Sequence, residues 1–396
     1  MNPAQPPSPS PAARARRHLR AGDLRAAAQL VTAATGGVIG ITEGVHQAVR
    51  GGLGLSRGAD AGRAGGLTGQ IYRAIRGIHA GVGLGVDVLL QALGPWLETS
   101  GGDNTPERAA VVAALNGVMG DRLQAMGNPL AQPMSLRVVG APTGHALVLV
   151  HGLCMHGDQW WRDGHDHGAW LAQRLGATPA YLTYNTGLPV ATNGRALAER
   201  LERQLASWPV PLQRLTLIGH SMGGLVIRSA VHAGESAGHA WRAPLRDLVC
   251  LGTPHHGAPL ERAGQGVDLL LDASPFTAPL ARLGRLRSAG ITDLRRGRVR
   301  AADDGAPDAP LPLPAGVGCR VVAACLAPRR GLLADRLVGD GLVPLRSALG
   351  DHDDPARALG VGPDSRFIAH RTGHLDLLGS LPVAERLRSW LERTGP

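Results

Sequence analysis

Gly219-His220-Ser221-Met222-Gly223, with a further glycine at Gly224, sets one hydroxyl among small residues. The apolar run Leu215-Thr216-Leu217-Ile218 precedes it and is fit for a buried strand. Leu225-Val226-Ile227-Arg228-Ser229-Ala230 follows and can start a helix. A strand that turns abruptly into a helix at G-x-S-x-G is a nucleophile elbow. Flanking glycines permit the strained turn that pushes the Ser221 oxygen out of a sheet. The new helix turns its first free N–H groups toward any negative charge that forms beside the serine. In a chain of 56 glycines the pentapeptide also arises by chance, so the strand and helix around it carry the reading.

A serine hydroxyl is a weak nucleophile at neutral pH and needs a base within hydrogen-bond reach. On such an elbow the chain order is Ser, then Asp or Glu, then His. That order prunes the sixteen histidines. His232 and His239 fall in or just after the elbow helix, and His255 and His256 directly after the next strand. Of His352, His370 and His374, the last lies in Arg371-Thr372-Gly373-His374-Leu375-Asp376, between the final strand and the final helix. A base there hangs over the elbow, so His374 is the expected base. Asp340, in the glycine-flanked turn Gly339-Asp340-Gly341-Leu342-Val343-Pro344, is the expected acid that orients the imidazole. Asp335 is its main rival, while Asp351, Asp353 and Asp354 read as a solvated loop. A developing oxyanion needs two fixed N–H donors. Met222 after the nucleophile supplies one, and Leu153 in His151-Gly152-Leu153 the other, with His151 itself structural. Cys154 neighbours this loop, but no cysteine forms a CxxC pair or a zinc-spaced cluster, and small buried thiols are expected.

The elements that must hold these groups are apolar runs at 136–139, 146–150, 180–184, 215–218, 245–251, 320–324 and 366–369. Helical stretches separate them: a Trp-rich one near 158–175, others at 194–208 and after the elbow, and a closing helix at 383–391. Continuous rather than alternating apolar runs suit parallel strands covered on both faces. Helical crossovers then give a right-handed, doubly wound, mostly parallel α/β sheet. This catalytic domain spans 133–396. A 259–316 insertion, apolar patches mixed with arginines, is expected to form a lid or cap. Residues 1–20 read as a disordered tail, and 21–132 as an Ala/Gly-rich helical extension. Within that extension, residues 41–51 are echoed by 67–77, with apolar positions at i, i+4 and i+8. A helical pair packed on the catalytic domain is the plainer reading, and a lipid- or partner-contacting surface the sharper one.

Composition excludes other classes. The formal charge is +10, yet the chain contains no lysine, its arginines are scattered, and aromatics are only 3%. That is a compositional bias rather than a nucleic-acid groove with stacking platforms. The basic N-terminus lacks an apolar core such as a secretory signal needs, and 77–97 is interrupted by His79, Asp87 and Gln91. A cytoplasmic location is expected.

Seven stretches together resemble α/β-hydrolase lipases and esterases, specifically bacterial triacylglycerol lipases and the inositol deacylase of GPI anchors. They are 151–153, 184–187, 219–224, 251–257, 287–294, 339–344 and 374–376. The resemblance covers roughly residues 135–393. It implies ester hydrolysis through an acyl-enzyme, with Ser221, Asp340 and His374 as the triad and an acyl ester or lipid as substrate. An acyltransferase using the same triad, or a lipid- or granule-binding scaffold with a vestigial site, are the alternatives. Secreted lipases of this branch bind calcium through two aspartates. Asp376 matches one of these positions, but 316–325 offers no second carboxylate, so Asp376 reads as a capping group. No cofactor or metal is expected.

Overall fold

A computed structural model of the chain describes residues 106–258, 288–304, 308–328 and 339–393. The tail, the 41–77 repeat, most of the 259–316 insertion and the rival acid Asp335 lie outside the described residues. Nine strands and seven helices occur among the described residues: α1 (Pro106–Ala125), β1 (Ser135–Val138), β2 (His145–Val150), β3 (Trp161–Arg162), β4 (His165–Asp166), α2 (His167–Leu175), β5 (Thr178–Thr183), α3 (Val190–Ala206), β6 (Arg214–His220), α4 (Met222–Ser236), β7 (Leu245–Leu251), α5 (Ala289–Arg296), β8 (Gly318–Cys325), α6 (Leu345–Leu349), β9 (Arg366–His370) and α7 (Leu381–Glu392).

Seven strands form one sheet in the order β1-β5-β2-β6-β7-β8-β9, antiparallel between β1 and β5 and parallel elsewhere. The alternation of side chains along each strand explains why the apolar runs are unbroken. On β2, Val148 and Val150 pack with Leu217, Leu225, Leu248 and Val321 on one face. Leu147 and Leu149 pack with Ile218, Val249, Leu171 and Leu387 on the other. Each face carries helices that bury apolar stripes. Both layers are therefore specified by residues one apart in sequence, which is the pattern of the α/β-hydrolase fold expected above. The chain winds one way from β2 to β5 and the other way from β6 to β9. The carboxyl ends of β2 and β6 thus flank the point where the winding reverses, where open α/β sheets place their ligands.

The Trp-rich stretch expected to be one helix from 158 to 175 is not. It is a 3₁₀ turn at Gly157–Trp160, a hairpin of β3 and β4, and then α2. Asp163 and Gly164 both take positive φ (51° and 80°), as the two centre residues of a type I′ hairpin turn must. An Asp-Gly pair is a strong local instruction for a two-residue hairpin turn, and it interrupts the expected helix. Asp166 then caps α2 by accepting from Ala169 N at 2.9 Å.

Residues 109–125 of α1 belong to the same compact unit as the sheet, although they precede the boundary expected at 132/133. Ala114 and Val118 enter the core. Asn116 Oδ1 accepts from Gln132 N at 2.9 Å, and Asn185 Nδ2 donates to Gly120 O at 2.9 Å. Among the described residues no helix is long and apolar enough to cross a membrane.

At the opposite end of the sheet from the winding switch, fully buried Asp247 of β7 accepts from Arg214 Nε at 3.1 Å and pairs with Arg320 of β8. Removing the carboxylate strands two partly buried guanidinium groups. Asp247→Ala is expected to cost about 3–5 kcal/mol of stability, read from urea unfolding, because breaking a buried network leaves uncompensated charge.

Candidate active site

The turn from β6 into α4 is strained. Ser221 sits at φ 53° and ψ −122°, a region that L-residues rarely occupy. Its N–H donates to Leu251 O of β7 at 2.8 Å, and its carbonyl accepts from Gly224 N at 3.0 Å to open the helix. The glycines of the elbow are needed for approach. A Cβ on Gly219 would stand 2.5 Å from Gly223 C and Gly224 N, and those on Gly223 and Gly224 would strike Val150 O and Thr253 Oγ1. Since backbone cannot move aside as a side-chain tip can, Gly219→Ala is expected to lose about 3 kcal/mol, the upper end of overpacking costs, in a denaturant midpoint measurement.

His374 is buried and anchored at three points. Its Nδ1 lies 2.7 Å from Asp340 Oδ2, its backbone N–H donates to Asp340 O at 3.2 Å, and its carbonyl accepts from His220 Nε2 at 3.1 Å. Asp340 is itself buried. Its Oδ1 accepts from Leu342 N at 2.9 Å and Val343 N at 2.7 Å, so three N–H groups hold one carboxylate. Positive φ at Gly339 (48°) and Gly341 (94°) makes this turn, and Leu326 N ties it to the end of β8 through Gly339 O at 2.9 Å. With Nδ1–H committed to the carboxylate, Nε2 carries the free lone pair. It is buried and without a hydrogen-bond partner among the described residues. The Ser221 hydroxyl and His374 Nε2 therefore share no hydrogen bond in this conformation. The two residues have neighbours in common. The His220 and His374 rings are 4.8 Å apart, and a Cβ on Gly252, next to the Leu251 acceptor of Ser221 N, would lie 3.2 Å from two atoms of the His374 ring.

The loop after β2 closes the other side. A Cβ on Gly152 would be 3.0 Å from Ser221 Cβ. His151 is buried, stacked on Tyr184 at 4.5 Å, with Nδ1 donating to Gly152 O at 2.9 Å. Burial drives its pKa down to about 3, so the ring is a neutral donor. Tyr184 Oη donates to His151 O at 2.9 Å. In a trans peptide the N–H opposes the carbonyl, so fixing Gly152 O toward His151 turns Leu153 N–H the other way. Neither Leu153 N nor Met222 N donates to a described residue. Cys154 has a positive φ of 61° and packs on Ala114, and burial pushes its thiol up to about 12, which leaves it unreactive at neutral pH.

Of the other sequence candidates, Asp351 pairs with Arg366 and Asp353 with Arg346 away from His374. His370 Nδ1 contacts Ala327 O at 3.3 Å, and Asp376 Oδ2 accepts from Gly373 N at 2.9 Å as a turn cap. Trp160 is fully buried, edge-on to His220 at 6.5 Å, whereas Trp161 is 65% exposed and Trp170 stacks under Arg174. Sequence reasoning gave His220 no role. Its position directly before the nucleophile, at the strand end facing the returning loop, was the available signal. Burial and the nearby His374 keep it well below the usual histidine range, so its Nε2–H serves the His374 carbonyl as a neutral donor.

Residues 141–280 match the PGAP1-like alpha/beta domain, a span that includes the elbow and the Leu153 loop and ends before Asp340 and His374. No curated protein matches the chain. Among solved structures, the mature form of a Bacillus licheniformis lipase is 20% identical, covering 64% of this chain and 98% of its own, with a TM-score of 0.43. A lipase-esterase related protein from Clostridium acetobutylicum is 13% identical over 65% of this chain and 98% of its own, with a TM-score of 0.34. Aspergillus fumigatus lipase B is 14% identical over 63% of this chain and 54% of its own, with a TM-score of 0.36.

Proposed function

We propose that this chain is a serine carboxylester hydrolase that cleaves acyl esters through an acyl-serine intermediate. The observation that carries the reading is the buried His374–Asp340 pair, 2.7 Å long, which leaves His374 Nε2 unengaged beside the strained Ser221 turn. In the first half-reaction the Ser221 oxygen bonds to the ester carbonyl carbon while Nε2 takes its proton. The carbonyl oxygen, now negative, is held by the N–H groups of Met222 and Leu153. Collapse breaks the carbon–oxygen bond to the alcohol, which leaves with the proton from Nε2. Water then repeats the sequence on the acyl-serine, giving the acid and free Ser221. Asp340 keeps the proton on Nδ1 and stabilises the transient imidazolium. The serine–histidine bond is one of those that tighten only once substrate is seated.

A p-nitrophenyl ester series of increasing acyl length tests this directly. Turnover above buffer hydrolysis with at least one acyl chain, at a rate proportional to enzyme, is the expected result. No turnover across the series overturns the assignment.

A further inference from the structure

A second polar centre lies behind the loop that follows β7. A small cavity of about 30 Å³, partly open to solvent, is bounded by Arg228, His255, His256, Arg296, Arg357 and Asp308, among others. Arg228 of α4 is only 4% exposed, yet both of its bonded partners are neutral: Nη1 donates to His255 Nδ1 at 3.2 Å and Nη2 to Leu311 O at 2.5 Å. Its Nε–H is buried with no partner among the described residues. Because His255 Nδ1 is the acceptor, the proton of the neutral ring sits on Nε2, which is likewise buried without a partner. His256, which donates its ring proton to the Gly350 carbonyl, completes this part of the wall. Arg296, in the last turn of α5, and Arg357 make no side-chain hydrogen bond or ion pair among the described residues. The one carboxylate in the wall, Asp308, is committed to Arg298 through bonds of 2.6 and 3.1 Å. A buried cation with neutral partners, two further arginines and unanswered N–H donors share one wall. Such a wall carries more cationic and donor groups than its single carboxylate answers.

We propose that this cavity binds a phosphate-class oxyanion, either free phosphate or the headgroup of a phosphomonoester. Guanidinium groups match tetrahedral oxyanions with paired donors. The site is distinct from the Ser221 centre, although α4 and the 252–257 loop serve both. Burial and Arg228 hold His255 well below the usual histidine range, so a bound anion raises its proton affinity.

Isothermal titration of the full chain with inorganic phosphate and, separately, with glycerol 3-phosphate tests this without reference to ester turnover. The expected result is saturable one-to-one binding of at least one probe, weakened at least tenfold in Arg296→Ala/Arg357→Ala and unchanged in Arg388→Ala, which lies outside the cavity. Binding of only the second probe assigns the site to phosphomonoesters. Histidine ring resonances that move toward the protonated position on titration, and stay still in the double variant, support the same conclusion. No saturable binding of either probe, or equal affinity in the double variant, overturns it. Arg296 and Arg357 are chosen because they are more exposed than Arg228, whose replacement threatens the fold.

Discussion

Ser221→Ala is expected to lower kcat for a p-nitrophenyl ester by about a millionfold, the loss typical of a serine nucleophile in a working triad. The alanine retains the Cβ, so the strain at φ 53° is unchanged, and the buried contacts of the elbow persist. Thermal unfolding should therefore match that of the parent protein. The separation of effects is the informative part. A hydroxyl that only supported the turn would alter stability and activity together, whereas a nucleophile alters activity alone. Residual rate above buffer would measure what Leu153 N, Met222 N and substrate binding supply without covalent chemistry.

Asp340→Asn is expected to cost about ten-thousandfold in kcat, again with the fold intact, because it reverses a tautomer rather than removing a contact. The donors around the carboxylate decide how an amide would orient there. Leu342 N and Val343 N both require an acceptor at Oδ1, so an asparagine must place its carbonyl oxygen there. Its amide NH₂ then faces His374 Nδ1, which can only accept. The ring proton moves to Nε2, the atom that must take the proton from Ser221. Kinetics of the variant across pH check this. A large loss in kcat with little change in KM is expected, and a variant within tenfold of the parent would remove Asp340 from the mechanism.

The elbow and the β2 and β7 strands could be read from the chain because each is encoded locally. Strand 245–251 and the observed β7 share both ends, since an unbroken buried run has no other way to be satisfied. The elbow strand proved longer than its apolar core, running from Arg214 to His220, because Arg214 at its start is satisfied by Asp247. What could not be read depended on contacts distant in sequence. His220 acts on a residue 154 positions later, and α1 holds Cys154 through Ala114 O, the 185–187 turn through the bond from Asn185 Nδ2 to Gly120 O, and Ser288 through Gly117 O. The Asp163-Gly164 hairpin was legible as an Asp-Gly turn but falls within the stretch expected to be one helix.

The most direct measurement is covalent trapping. Incubation of the full chain with a fluorophosphonate, followed by proteolysis and mass spectrometry, should place a single phosphonyl adduct on the peptide containing Ser221, with fluoride released as the serine oxygen bonds to phosphorus. Ester turnover should fall in proportion to labelling, and Ser221→Ala should take up no label. An adduct on any other residue, or a parent protein that turns over esters while Ser221 remains unmodified, would contradict the account.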